Sequence, residues 1–436
     1  MSKDKVIKVG LIGYGIVGTG VVRLFNNQKS SDISLEAVVV ANADKARKLP
    51  VKNLTTDVSQ VVKNPDIDLV VEVMGGYQPA LDYILRAIKN GKHVVTANKA
   101  VISEYGPEIF KEASRHNVNV SFEGAVGGGI QIVNPLMEQY SIGTIKSITG
   151  ILNGTSNFIL TRMSEGMGYE CALKIAQQKG FAEADPSFDV KGIDAAQKIA
   201  ILASIAFGKW IKPSEVYCEG ITEITPIDIE EARGLDHVVK LLAIAKKTEK
   251  GEMDIRVHPA LVHSSHQLAT VNDEFNVIYI SGEPFGNQLL IGKGAGEGPT
   301  AFSVYNDIVK TADMIRKGIV RNLEFNNQGI RIADQHDIET MGYLRIYLSH
   351  VPLTLRDVLT VLGEHGWNIR HSIQRDREEY RKVSGGIPYI PDIITHEPLK
   401  FGVVRKILPE LEKARTKDSH PIVLEKPFYM RFYGND

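Results

Sequence analysis

Residues 6–20 read VIKVGLIGYGIVGTG, and the fold turns on this stretch. Positions 6–12 are a short apolar run rich in β-branched residues, a strand pattern. Gly13-Tyr14-Gly15-Ile16-Val17-Gly18 follows it and opens a helical pattern over 15–27. In such a junction Gly13 permits the tight turn and Gly15 lets backbone approach a pyrophosphate. Gly18 lets the helix pack close to the sheet. The first helical turn, with Ile16 and Val17, then offers N–H groups and partial positive charge to phosphates. A glycine-rich turn kept for packing alone would look the same in isolation, so the surroundings matter. Apolar runs at 35–40, 68–73, 93–96 and 117–122 alternate with helical patterns at 79–89 and 106–115. That alternation predicts a parallel α/β sheet.

The expected organisation is an N-terminal Rossmann-type dinucleotide-binding domain over 1–135, completed by a helix near 300–320. An α+β substrate and dimerisation domain is expected over 136–299, with strands at 144–152, 252–262 and 277–282 and helices at 133–139, 156–164, 169–178 and 192–207. The polar stretch 321–340 contains Asn326-Asn327-Gln328-Gly329 and reads as a linker. Residues 341–436 read as a small βαββαβ unit, with strands at 343–348, 367–374 and 422–425 and helices at 355–365 and 401–413.

A chain of 436 residues is long enough for two or three cores. Its 51 basic and 52 acidic residues give a net charge of -1, so no global field draws in nucleic acid or an anionic membrane. Cys171 and Cys218 lie far apart without metal-type spacing, which predicts a reducing compartment. The N-terminal residues carry no apolar signal core, and no apolar run approaches the roughly 20 residues of a membrane helix. A cytoplasmic location is expected.

The second strand runs into Ala41-Asn42-Ala43-Asp44-Lys45-Ala46-Arg47-Lys48. NAD-preferring sites usually place an acid there for the ribose hydroxyls. None stands at the expected spot and three bases follow, so NADP and NAD both remain open. Thr96-Ala97-Asn98-Lys99 follows the strand at 93–96, at the edge that faces the cofactor crevice in an open α/β sheet. On position alone, Lys99 is either a crevice residue or merely solvated. Residues 180–189, GFAEADPSFD, are dense in acids and lead to Asp194 and Lys198, four apart on one helix face. Ile193, Ile199, Ile201, Leu202 and Ile205 make that helix apolar nearly all round, which predicts burial. A buried amine needs a partner and is suited to proton transfer; the alternative is a surface ion pair at a frayed helix start. Glu183, Asp185 and Asp189 match no calcium loop, so a catalytic divalent metal is not expected.

Seven stretches together resemble the homoserine dehydrogenases: GLIGYGIVGTGVV (10–22), VVEVMGG (70–76), VVTANKA (94–100), FEGAVGGGIQI (122–132), ILNGTSNFIL (151–160), GFAEADPSFDVKGIDAAQKIAILA (180–203) and GKGAGEGPTA (292–301). The resemblance implies NAD(P)-dependent interconversion of L-aspartate 4-semialdehyde and L-homoserine, on the route from aspartate to threonine, methionine and isoleucine. It implies Lys198 as the proton-donating lysine and Lys99 beside the nicotinamide and substrate. Glu183, Asp189 and Asp194 then hold homoserine. Gly13, Gly15, Ile16, Val17, Gly18, Thr96, Lys99, Gly180 and Gly296 contact the cofactor. It also implies a structural monovalent cation such as Na+, on mostly backbone oxygens at Glu123, Val126, Gly128 and Ile130. Residues 341–436 resemble an ACT domain, although Pro352-Leu353 replaces the common Pro-Gly. An amino-acid effector, threonine, a homodimer or homotetramer and a monofunctional chain are the accompanying expectations. A non-catalytic sensor, or a dehydrogenase of another semialdehyde, would use the same scaffold.

Overall fold

The computed structural model describes residues 5–28, 32–138, 143–321, 323–325, 329–415 and 420–434. It divides into two compact units built from interleaved segments. The first comprises Met1–Gly154, Ile193–Val216 and Glu274–Ile330; the second comprises Thr155–Gly192, Tyr217–Asp273 and Arg331–Asp436. The helix Ile193–Phe207 therefore belongs with the dinucleotide-type unit, not with its sequence neighbours as consecutive blocks would have it.

In the first unit, strands β1 (Ile7–Ile12), β2 (Ile33–Val39), β3 (Leu54–Thr55), β4 (Leu69–Glu72), β5 (His93–Thr96) and β6 (Val120–Ser121) form a sheet in the order β3-β2-β1-β4-β5-β6. Every pairing is parallel. This is the doubly wound order, whose crevice lies beyond the carboxyl ends of β1 and β4. The helix Glu297–Lys317 closes the unit: Ala301, Val304, Ile308 and Ala312 join the core of β1, β2 and β4. A Cβ at Gly20 would stand 2.6 Å from that of Ala301, so this contact requires glycine. Strand β7 (Thr144–Ile151) pairs antiparallel with a strand at Phe275–Glu283, which pairs in turn with Gly286–Lys293.

The helix after β5 runs Lys99–Arg115, seven residues longer at its start than the sequence pattern suggested. Gly106-Pro107 looks like a helix start, but here it lies inside one. Proline leaves the carbonyl four residues earlier without its amide donor. That carbonyl, Ser103 O, accepts instead from Trp210 Nε1 at 3.3 Å, and a Cβ at Gly106 would collide with the same indole. Lys99 consequently sits in the first helical turn, just after its cap Asn98.

In the second unit, β8 (Tyr217–Cys218), β9 (His237–Lys247) and β10 (Met253–His263) precede a βαββαβ run. Its strands are Glu339–Ser349, Ile369–Gln374, Ile387–Lys400 and Phe428–Tyr433, with helices Thr354–Glu364 and Phe401–Lys413 between them. Leu344, Ile346, Leu348 and Ile394 pack beneath Val358, Leu362, Val404 and Ile407 of the two helices. The stretch expected as a linker is partly built in. Arg331 O accepts from Met253 N at 2.8 Å, Ala333 N donates to Met253 O at 2.9 Å, and the next strand already starts at Glu339. Asn322 and 326–328 of that stretch, and Gln139 of the expected helix 133–139, lie outside the described residues. The expected strand 422–425 is only an isolated bridge at Val423; the strand follows at Phe428–Tyr433. Among the described residues no helix is long and apolar enough to cross a membrane.

Candidate active site

The turn after β1 is built for phosphate. Gly13 has φ +104°, and a Cβ there would meet backbone of Val73 at 2.9 Å. A Cβ at Gly18 would lie 2.3 Å from Gly13 O, whereas at Gly15 it would meet nothing within 4 Å. Gly15 caps the helix Ile16–Asn27 without a side-chain hydrogen bond, and its first turn carries no acid. The amides of Ile16, Val17 and Gly18 precede the first intrahelical bond, and Ile16 is 71% exposed. These residues fit a nicotinamide dinucleotide. Beside them Arg47 stacks 5.7 Å over the Tyr14 ring, while the Tyr14 hydroxyl donates to Leu49 O at 2.7 Å. Gly296, φ +119°, heads the closing helix, and Gly180, φ +74°, lies in the second unit.

At the carboxyl ends of β4 and β5 a buried acid that the sequence reading passed over organises the loops. Glu72 is inaccessible and accepts from Thr96 Oγ1 at 2.6 Å and from Met74 N at 2.7 Å. Burial outweighs these bonds and raises its pKa. A glutamate in the otherwise apolar VVEV was the available signal. Asn98 joins this network, donating to Gly76 O at 2.8 Å and capping Val101 N at 3.2 Å. Thr96 is fully buried and its hydroxyl is committed to Glu72.

The network delivers Lys99 to Asp194. Lys99 Nζ stands 2.8 Å from Asp194 Oδ1, and Lys198 Nζ stands 2.7 Å from Asp194 Oδ2 and 2.7 Å from Leu152 O. Asn153 donates to Asp194 Oδ2 at 2.9 Å, and Asn276 donates to Leu152 O at 2.8 Å. Burial opposes ionisation of Asp194, but Lys198 and Lys99 outweigh it and hold the carboxyl well below the usual range. The first turn of its helix adds a favourable field. Three predicted residues are thus brought together, and both Asp194 oxygens are occupied, Oδ1 by Lys99 and Oδ2 by Lys198 and Asn153. Glu183, exposed, and Asp189, in the short helix Ser187–Val190, belong to the second unit.

The FEGAVGGGI stretch contains a second inaccessible acid. Glu123 accepts from Val133 N, Asn134 N and Asn134 Nδ2 at 2.7–2.8 Å and from Ile132 N. Its carboxylate is therefore filled. Asp307 accepts from Glu123 N at 2.8 Å, and burial followed by the Glu123 charge pushes it up to about 7. Oxygen for a cation here would come from backbone, where Gly127 and Gly128 are left-handed and Gly128 O already accepts from Ser303 Oγ. No cluster of three or more His, Cys, Asp or Glu side chains suited to a metal occurs among the described residues.

Residues 13–123 match the homoserine dehydrogenase NAD-binding domain and residues 132–309 the homoserine dehydrogenase domain. A homoserine dehydrogenase of Synechocystis sp. is 43% identical over 390 residues, covering 84% of this chain and 89% of that protein. The chain belongs to the homoserine dehydrogenase family. Another homoserine dehydrogenase, from Pseudomonas aeruginosa, is 40% identical over 414 residues, 91% of this chain and 93% of its own. The crystal structure of a homoserine dehydrogenase from Thiobacillus denitrificans superposes with a TM-score of 0.89 at 34% identity, covering 99% of both chains. A hyperthermophilic archaeal homoserine dehydrogenase mutant solved in complex with NADPH superposes with a TM-score of 0.61 at 25% identity, covering 73% of this chain and 99% of that one. The protein is an NAD(P)-dependent oxidoreductase that interconverts L-aspartate 4-semialdehyde and L-homoserine, with a Rossmann-type unit and a mixed α+β unit.

Proposed function

We propose that Lys198 exchanges the proton and Lys99 shares the charge in this homoserine dehydrogenase, with Asp194 setting the position of both amines. The carrying observation is the single buried carboxylate that holds two ammonium groups at 2.7 and 2.8 Å beside the glycine-loop crevice. Bound NAD(P)H supplies the hydride that reduces the aldehyde carbon. Negative charge then grows on the carbonyl oxygen, and an ammonium in a mostly dry pocket stabilises it and gives up a proton. Leu152 O and Asp194 limit the directions in which the Lys198 protons can point, leaving one N–H of the three for the substrate. Glu183, Asp189 and Asp194 hold homoserine, Asp194 while also anchoring the two lysines. Gly13 to Gly18, with Gly180, Gly296 and the Thr96 backbone, hold the dinucleotide. Arg47, stacked on Tyr14 beside the turn, supports acceptance of the extra phosphate of NADP. Backbone oxygens of Glu123, Val126, Gly128 and Ile130 hold a structural monovalent cation. Residues 341–436 act as an ACT-like assembly or regulatory domain, with threonine as effector, in a cytoplasmic homodimer or homotetramer.

Homoserine oxidation, followed by absorbance of the reduced nicotinamide with NAD and NADP in turn, tests this. Lys198→Ala is expected to lower kcat by about 10²–10⁴. Turnover at the parent rate in that variant would remove the proton-donor role.

A further inference from the structure

We infer that Tyr77 is a positioning residue for the proton-exchanging lysine and acts through Gln197; the inference rests on the reading of Lys198 given above. Two successive left-handed glycines, Gly75 at φ +83° and Gly76 at φ +72°, turn the chain at the carboxyl end of β4. The turn is fixed on both sides. Glu72 accepts from Met74 N, Gly76 O accepts from Asn98 Nδ2, and Tyr77 O accepts from Leu81 N at 3.0 Å. The Tyr77 backbone is therefore rigid, yet its side chain remains 44% exposed. Its ring meets Tyr105 edge-on at 6.1 Å, and its hydroxyl lies 3.5 Å from Gln197 Nε2.

Gln197 is only 4% exposed, immediately precedes Lys198 and follows Asp194 by three residues, on the same helix face. Its Oε1 is buried and has no partner among the described residues. A buried amide acceptor without a donor is costly, and natural proteins rarely keep one without use. Turned by 180° about its last bond, the amide offers Oε1 to the phenol as acceptor and Nε2 takes the buried, unpartnered place. In either orientation Tyr77 is the side chain that meets this amide. The pair ties the cofactor-side turn, already coupled to Thr96 and Asn98, to the helix that carries Asp194 and Lys198. Misplacement of a catalytic amine by a fraction of an ångström lowers the rate of the chemical step more than it weakens binding.

The test compares Tyr77→Phe, Gln197→Met and the double variant with Lys198→Ala, in homoserine oxidation and in thermal melting. Tyr77→Phe is expected to lower kcat about fivefold to tenfold, with KM for homoserine and cofactor within about twofold and an unchanged melting temperature. Gln197→Met should match it, and the double variant should lose no more than either single one, because both cut one link. Full turnover in Tyr77→Phe overturns the inference, as do multiplicative losses in the double variant. Loss of kcat that merely tracks a lower melting temperature also overturns it. Should Gln197→Met fail to fold, Tyr77→Phe decides alone on its kcat and melting temperature. An active Lys198→Ala sinks the proton-donor reading; an inactive Lys198→Ala beside a fully active Tyr77→Phe sinks this inference only.

Discussion

Asp194 and Asp228 are both buried acids in the first turn of a helix, and both are paired with cations, yet their carboxyls are pushed in opposite directions. Asp194 faces two ammonium groups, which overcome burial and keep it ionised. Asp228 faces one guanidinium, Arg345, and accepts from Tyr343 Oη at 2.9 Å and from Thr225 N and Oγ1 at 2.8 Å, but burial prevails and its pKa rises. The difference lies in stoichiometry. Two cations on one carboxylate leave a net positive charge that a developing oxyanion can use. One cation on one carboxylate, with a cap and a phenol in the remaining positions, closes every valence and makes a latch. The first arrangement suits chemistry, the second suits stability.

Breaking each carboxylate separates these roles. Asp194→Asn removes the anchor of both amines and is expected to lower kcat by about 10³, since general acid catalysis and its positioning are lost together. Lys198 is left in a buried site with only a carbonyl and an amide, so the melting temperature falls as well. A variant with parent turnover would show that Asp194 does not position the lysines. Asp228→Asn should act on stability alone. Arg345 is 8% exposed and would lose its counter-charge, at a cost of about 3–5 kcal/mol in denaturant unfolding. Turnover per folded protein should remain at the parent value. A fall in kcat at full occupancy of the folded state would mean that the latch reaches the site.

The same contrast explains what could be read from residue order. Gly13 to Gly18 were legible because a phosphate turn is local: three glycines and a helix start lie within six residues. Asp194 and Lys198 were legible because four residues make one helical turn. The partners that complete the cluster were not. Asn153, in a loop, and Asn276, in the strand Phe275–Glu283, arrive from separate segments, and a lone asparagine carries no signal of its own. Strand β9 escaped notice because Lys240 interrupts HVVKLLAIAKK, and only the structure shows its amine buried against Val271 O at 2.6 Å and Asn272 Oδ1 at 3.0 Å. Ile387–Lys400 escaped because Pro388, Pro391 and Pro398 demote a strand in sequence, although Pro391 pairs with Tyr347 in the sheet.

That last strand carries another inaccessible acid, and it sharpens the comparison because no cation pairs with it among the described residues. Asp392 accepts from Ser372 Oγ at 3.2 Å, and burial pushes its carboxyl up to about 6 despite this bond and the amides of Ile373 and Ile393. The unfolded chain ionises the same group near pH 4. Between about pH 4 and 6 the folded state therefore holds a proton that the unfolded state has lost. The contribution to stability is complete below about pH 4 and is lost as pH rises through about 6. Asp392→Asn should flatten that slope in denaturant unfolding and add about 2–3 kcal/mol at pH 7. An unchanged slope would mean that another group titrates there.

The smallest expected effect is at Leu353, where the turn into the helix Thr354–Glu364 adopts φ +75°. A leucine in this left-handed region crowds its Cβ against its own carbonyl, at about 1–2 kcal/mol, and glycine does not. Glycine also loses more freedom on folding, which cancels roughly half of the gain. Leu353→Gly should therefore raise stability by about 0.5–1 kcal/mol, a shift of a few degrees or less in melting temperature. The leucine side chain is 60% exposed, so a single chain offers it little packing to lose. If the glycine variant instead melts lower, and does so more steeply as protein is diluted, the leucine is buried against a second copy. Leu353 would then serve assembly.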